Sequence, residues 1–228
     1  MTEIAAMTAL VRYQTALLLR SQRWLPPFLL YGIFLIVGVQ AGQPVLDSLG
    51  YAAAALLPVT VWLVRISVRQ EPAASRAVAA AVTGARRVHL AALLAAVAVA
   101  AATGLAGTLV VTLVSKHSSG DRTVDVPVLP AGVAGLLAAA VCLLVGVAAG
   151  ALCSRPVLRG RGWSIAAGVL ASLAALVAPG SPAKYAIVGL VSGSRSGAIH
   201  TPLLPLAAAA LVAAVAAAVA CALVTVRE

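Results

Sequence analysis

The sequence is poor in charge, and poorest in negative charge. Of its 228 residues 10% are charged, and only six are acidic. A soluble domain carries about 25% charged residues, so this chain is not built to present its surface to water. Aromatic residues make up 4%, and there are three cysteines. Cys142, Cys153 and Cys221 lie in or at the ends of apolar blocks and form no CxxC pair. They read as small packing residues, not as a disulfide framework or a metal site. No GxxxxGK[ST] loop is present, since Lys116 and Lys184 follow Ser115 and Ala183. The chain is therefore not itself a Walker-type ATPase. HExxH is also absent, which removes the familiar zinc-protease helix. The run Gly193-Ser194-Arg195-Ser196-Gly197 has arginine at its centre and departs from GxSxG. A serine-protease reading of Ser194 or Ser196 with His200 thus lacks its motif.

The six acids, Glu3, Asp47, Glu71, Asp121, Asp125 and Glu228, all fall outside the apolar blocks. No Lys, Arg or His lies near a block centre; His89 and His117 sit at block ends. A proton relay through lipid needs ionisable groups on which the proton can stop, so proton coupling is disfavoured. Sodium coupling through backbone carbonyls needs no such group.

What is present is apolar length. The chain is 62% hydrophobic, with a mean hydropathy of +1.07. Several blocks match the roughly 20 residues needed to cross a bilayer. The expected fold is an all-α polytopic membrane protein, a single transmembrane domain over residues 1–228. Six spans are expected, near 24–42, 49–64, 90–114, 128–152, 163–178 and 205–226.

The net charge of +10 would point to nucleic acid in a soluble protein. No basic stripe with interleaved aromatics occurs here, so no nucleic-acid partner is expected. The cations instead sort by loop. Twelve of the sixteen lie before the first span, at 65–87, at 155–161 and at 227; the remaining loops hold only Lys116, Arg122, Lys184 and Arg195. The positive-inside rule then places both termini in the cytoplasm. Val39-Gln40-Ala41 resembles a small-x-small cleavage site, but the basic stretch ahead of it is too long for a signal-peptide n-region. The first span is read as uncleaved.

Three segments outside the spans carry pattern. In residues 1–23, Ile4, Met7, Leu10, Val11, Leu17 and Leu18 fall on one side of a helix, while Arg12, Arg20 and Arg23 fall together on another. That amphipathic helix suits the inner interface, with Trp24 at the water–lipid boundary and Pro26-Pro27 turning the chain into the membrane. Residues 71–84 read as a short cytoplasmic helix: Glu71 and Pro72 suit its start and Gly84 its stop. Its Ala/Val composition is too apolar for a solvated face, so a protein partner is expected to cover it. Residues 179–200 begin with Pro179-Gly180-Ser181-Pro182, contain an apolar run 185–191 too short to span, and pass through Ser192–Gly197, read as a flexible link. A helix dipping into or lying on the outer leaflet fits them. Two GxxxG pairs, Gly38 with Gly42 and Gly146 with Gly150, are read as packing within the chain, with a dimer seam as the second option.

The order of these parts resembles the membrane subunit of bacterial type-2 ABC exporters, six-span permeases encoded apart from their ATPase. The resemblance rests on Arg20-Ser21-Gln22-Arg23-Trp24-Leu25 leading into the first span, on the Glu71-Pro72 helix ending in Gly84-Ala85-Arg86-Arg87, and on the broken segment from Ser181-Pro182-Ala183. It covers essentially the whole chain. It implies an elbow helix over 1–23 with Arg12, Arg20, Arg23 and Trp24 at the interface. It implies a coupling helix over 71–84, with Gln70, Glu71, Arg76, Arg86 and Arg87 contacting the ATPase. It implies two permease and two ATPase subunits in a bacterial inner membrane, ATP and magnesium bound only in the ATPase, and no cofactor or catalysis in this chain. The substrate path would run between permeases, along the first, second and fifth spans, with 179–200 as an outer gate. The cargo would be an amphipathic or hydrophobic antibiotic, peptide or lipid. Two other classes fit the same composition: a secondary transporter or channel acting alone, and a membrane immunity protein that binds a toxin without moving it.

Overall fold

The computed structural model describes residues 3–40, 42–120, 124–155, 157 and 160–227. Arg122, Arg159, Asp121 and Glu228, along with Ala41 of the cleavage-like site, lie outside the described residues. Among the described residues the regular structure is all α: α1 (Glu3–Arg20), α2 (Leu25–Gly38), α3 (Val45–Arg69), α4 (Ala73–Thr83), α5 (Ala85–Val114), α6 (Val128–Leu152), α7 (Arg161–Val177), α8 (Pro182–Ser196) and α9 (Leu203–Arg227). Four helices, α3, α5, α6 and α9, are each long and apolar enough to cross a bilayer. Together α7 and α8 pass the same test as one unit bent by 46°, giving up to five. This is the build of a multi-pass membrane protein.

Helix boundaries depart from the apolar blocks for physical reasons. Charge ends a block but not a helix, because arginine is a good helix former. So α3 continues through Arg65 to Arg69, and α5 starts five residues before the block, at Ala85. The opposite happens at the first block. It yields only the 14 residues of α2, about 21 Å of helix against the roughly 30 Å of a hydrocarbon core. The fifth block yields a helix close to its own length, the 17 residues of α7, about 26 Å and also short of a full core. The segment Ser192–Gly197, expected as a flexible link, is instead helical to Ser196. It is held by packing: Ser194 is buried and its carbonyl accepts the Gly120 N–H at 2.9 Å.

The core is centred on α3, which is buried along most of its length against α5, α6 and α8. Two glycines of α6 set how closely it approaches α3. A Cβ on Gly146 would lie 2.9 Å from the Leu57 carbonyl oxygen, and one on Gly150 would lie 2.7 Å from Val64 Cβ. The 146/150 pair is thus spent on contact within the chain. The 38/42 pair is not a matching seam: a Cβ on Gly38 would run into the Tyr51 ring, while one on Gly42 would meet nothing within 4 Å.

The bundle has two dissimilar ends. At one, loops are stitched by backbone bonds. Val45 N–H donates to the Lys116 carbonyl and Lys116 N–H to the Gln43 carbonyl, both at 3.0 Å, and Val126 N–H donates to the His117 carbonyl at 3.1 Å. The other end gathers α1, α4, the starts of α2, α5 and α7, and the finishes of α3, α6 and α9. It carries most of the arginines and is called the basic end below.

Candidate functional site

The basic end is organised around Glu71, in the three-residue link Gln70-Glu71-Pro72 between α3 and α4. Glu71 is 7% exposed, and its Oε2 accepts a hydrogen bond from Gln14 Nε2 at 2.8 Å. Gln14 lies on α1 and is itself 1% exposed. Gln70 closes the group, its Nε2 donating to the Gln14 carbonyl at 3.0 Å and to Gln14 Oε1 at 3.2 Å. Most polar groups this deep in a protein are hydrogen-bonded, and here the bonds tie α1 to the α3–α4 corner across more than fifty residues of sequence. Burial, and then the charge and hydrogen bonding of Glu71, raise the Tyr13 phenol above its ordinary value.

The link also fixes α4. Pro72 is the residue before the first turn, not within it, and Arg76 N–H donates to its carbonyl at 3.0 Å. The Arg76 guanidinium reaches back to the Val68 carbonyl at 2.6 Å. Gly84 ends the helix, its N–H on the Ala80 carbonyl at 2.8 Å and its φ at +91°, a conformation that side chains rarely tolerate. No residue of α4 is buried, and Val78 and Val82 are 68% and 81% exposed.

Beside α4 opens a cleft of about 1070 Å³, lined by Arg23, Arg65, Arg69, Arg76 and Arg155 together with Glu71 and Trp62. Five arginines around one carboxylate give an excess of positive charge in a partly enclosed space, a field that attracts anions.

The residues expected at a partner interface divide into three groups. Glu71 and Gln70 are turned inward, to the bond network with α1. Arg76 lines the cleft with Arg23. Arg86 and Arg87 lie elsewhere: Arg86 reaches Thr225 Oγ1 of α9 at 3.4 Å, and Arg87 forms an ion pair with Glu3 of α1. Arg12 and Arg20 are exposed on α1. The Trp24 indole N–H donates to the Leu19 carbonyl at 3.2 Å, and its ring meets Phe28 edge-on at 5.6 Å between centroids. Along α1 the expected apolar side is half-buried at Met7, Leu10, Val11 and Leu17 and buried at Leu18, whereas Ile4 is 79% exposed.

Sequence reasoning did not assign Arg65, Arg69, Arg155, Trp62 or Gln14 to a site. For three of these a signal existed. Trp62, Arg65 and Arg69 recur at helical spacing and so share one face of α3. Arg155 and Gln14 reach the site only through tertiary packing. At the other end, Ser194 is 1% exposed and its hydroxyl makes no hydrogen bond, so it is not presented to a base. No family model matches the chain, and neither does any curated protein or solved structure.

Proposed function

We propose that this protein is the membrane subunit of an ATP-driven exporter, crossing a bacterial inner membrane six times with its basic end in the cytoplasm. The crossings are α2, α3, α5, α6, α7 and α9. The short α2 is completed at the lipid boundary by Trp24 on one side and by Val39 and Gln40 on the other. In this reading α1 is the elbow helix, α4 the coupling helix and α8 an outer gate element.

The observation that carries the reading is α4. An eleven-residue helix, mostly Ala and Val, stands at the basic end between two bilayer-length helices with no residue buried. An apolar helix in that position gains stability from a protein cover. A permease without a nucleotide site needs an energy source in trans, and an ATPase seated on α4 supplies one. Nucleotide binding then acts by favouring one arrangement of the helices over another. Glu71 and Gln14 act as an internal strut that keeps α4 set against α1, and the docking contacts are made by the outward side chains of α4, Val78 and Val82 among them. Two copies of the permease with two ATPase subunits form the working unit, and the cargo is a small amphipathic compound.

The test is purification of the tagged protein from its native host in mild detergent, with mass spectrometry of what remains bound. A Walker-motif ATPase in near-equal amount is expected, and it should be lost from the Val78→Asp, Val82→Asp double variant, whose changes lie on exposed positions. Recovery of the permease alone, repeated after crosslinking in membranes, overturns the reading.

A further inference from the structure

The basic cleft has a neighbour: a second cavity of about 450 Å³ between α2, α3 and α7, with Trp62 and Arg65 lining both. The second cavity is apolar, walled by Phe34, Val61, Ile165, Val169 and Leu173, with Pro58 at its back. It exists because α7 packs loosely. Along that helix the buried positions are small, Ser164, Gly168 and Ser172, while Ile165, Val169 and Leu173 stay about half exposed. Side by side, the two cavities set five arginines next to hydrocarbon walls, with Trp62 and Arg65 between them.

We infer that this paired site binds an anionic phospholipid, the phosphate headgroup among Arg23, Arg65, Arg69, Arg76 and Arg155 and an acyl chain between α2 and α7. Charge and shape select this occupant together. A soluble anion uses the cleft and leaves the apolar cavity open. A second copy of this chain brings the same cations to the same place, and like charges repel in a partly enclosed space. An acidic protein loop matches the charge of the cleft but has nothing to place among Phe34, Val61 and Leu173. A lipid satisfies both parts: phosphate accepts several guanidinium hydrogen bonds at once, basic pockets between membrane helices hold anionic headgroups, and tryptophan favours the boundary where head meets tail. The inference rests on the basic end lying at a headgroup layer, as proposed above. It needs neither the ATPase nor a transport cycle.

The experiment is native mass spectrometry of the detergent-purified full chain, titrated with phosphatidylglycerol, with phosphatidylcholine and with inorganic phosphate. Phosphatidylglycerol should bind, phosphatidylcholine should bind at least tenfold more weakly, and inorganic phosphate should not displace the lipid at equal concentration. Arg23→Gln with Arg155→Gln removes two exposed cations and should weaken phosphatidylglycerol binding roughly thirtyfold. Val169→Trp fills the apolar half from an exposed position. It should weaken lipid binding while leaving the melting temperature and any phosphate binding unchanged, which separates loss of the site from loss of the fold. Equal retention of the two lipids, displacement of phosphatidylglycerol by inorganic phosphate, or full binding by both variants overturns the site. Lipid retention without an ATPase in the host purification sinks the exporter reading and leaves this site standing; an ATPase without lipid selectivity does the reverse.

Discussion

The two ends of the bundle are held together in different ways. The end bearing Lys116 and Ser194 is closed by bonds from main chain to main chain, which most substitutions leave intact. The basic end is closed by side chains: Gln14 on Glu71, Gln70 on Gln14, Arg76 on the Val68 carbonyl. Side-chain bonds can be exchanged for bonds to a ligand or a partner with modest rearrangement, whereas main-chain ladders resist this. The proposed cycle would change contacts at the basic end, where α4 and the arginine cleft both lie.

Substitutions can break or sharpen this contrast. The largest effect should come from the packing that both ends share. Gly150→Leu forces a side chain into Val64 Cβ and the Val61 carbonyl, and should destabilise the fold by about 3 kcal/mol. Gly189→Leu, where a Cβ meets nothing within 4 Å, should leave the thermal melting point in the same detergent unchanged. Next comes the strut. Glu71→Ala strands the buried Gln14 amide and should cost about 2 kcal/mol, with amide exchange rising along α1 and not along α8. Glu71→Gln keeps an acceptor and should lose about half as much.

Helix existence was legible in the sequence, because lipid imposes long apolar blocks that nothing else in a chain resembles. The block at 128–152 coincides with α6. Legibility failed where two physical signals diverge. Hydropathy reports where lipid stops, not where hydrogen bonding stops, so α3 and α5 overrun their blocks with Arg65, Arg69, Arg86 and Arg87. A short polar run such as Ser192–Gly197 carries turn-forming residues, yet burial against the loop before α6 keeps it helical to Ser196. Glu71 could be singled out as the one acid at the start of a short helix. That it faces Gln14, fifty-seven positions earlier, is a tertiary fact with no local trace. The arginine cleft likewise appears only when α2, α3, α4 and α6 bring their ends together.

Smaller effects should separate the two ends further. Arg76→Ala removes a bond to the Val68 carbonyl and should cost about 1 kcal/mol. Lys116→Ala, at the other end, keeps both of that residue's main-chain bonds and should fall within about 0.5 kcal/mol of the parent. Comparing the two midpoints in one denaturant series checks this, and equal losses would erase the contrast. The smallest effect is expected at Arg87→Ala. Its partner Glu3 is 83% exposed and the arginine 45%, and exposed ion pairs contribute about 0–1 kcal/mol. The melting point should move by no more than the scatter of replicates.

The most direct test of the working arrangement is a single cysteine at Val82, on the outward face of α4, in a chain whose three native cysteines are replaced by alanine. In sealed cells of the native host, a membrane-impermeant maleimide added outside should leave it unlabelled, while a permeant bifunctional crosslinker should join it to an ATP-binding polypeptide. Labelling of position 82 from outside the cell, or a crosslinked product that contains no ATPase, would contradict both the orientation of the basic end and the role given to α4.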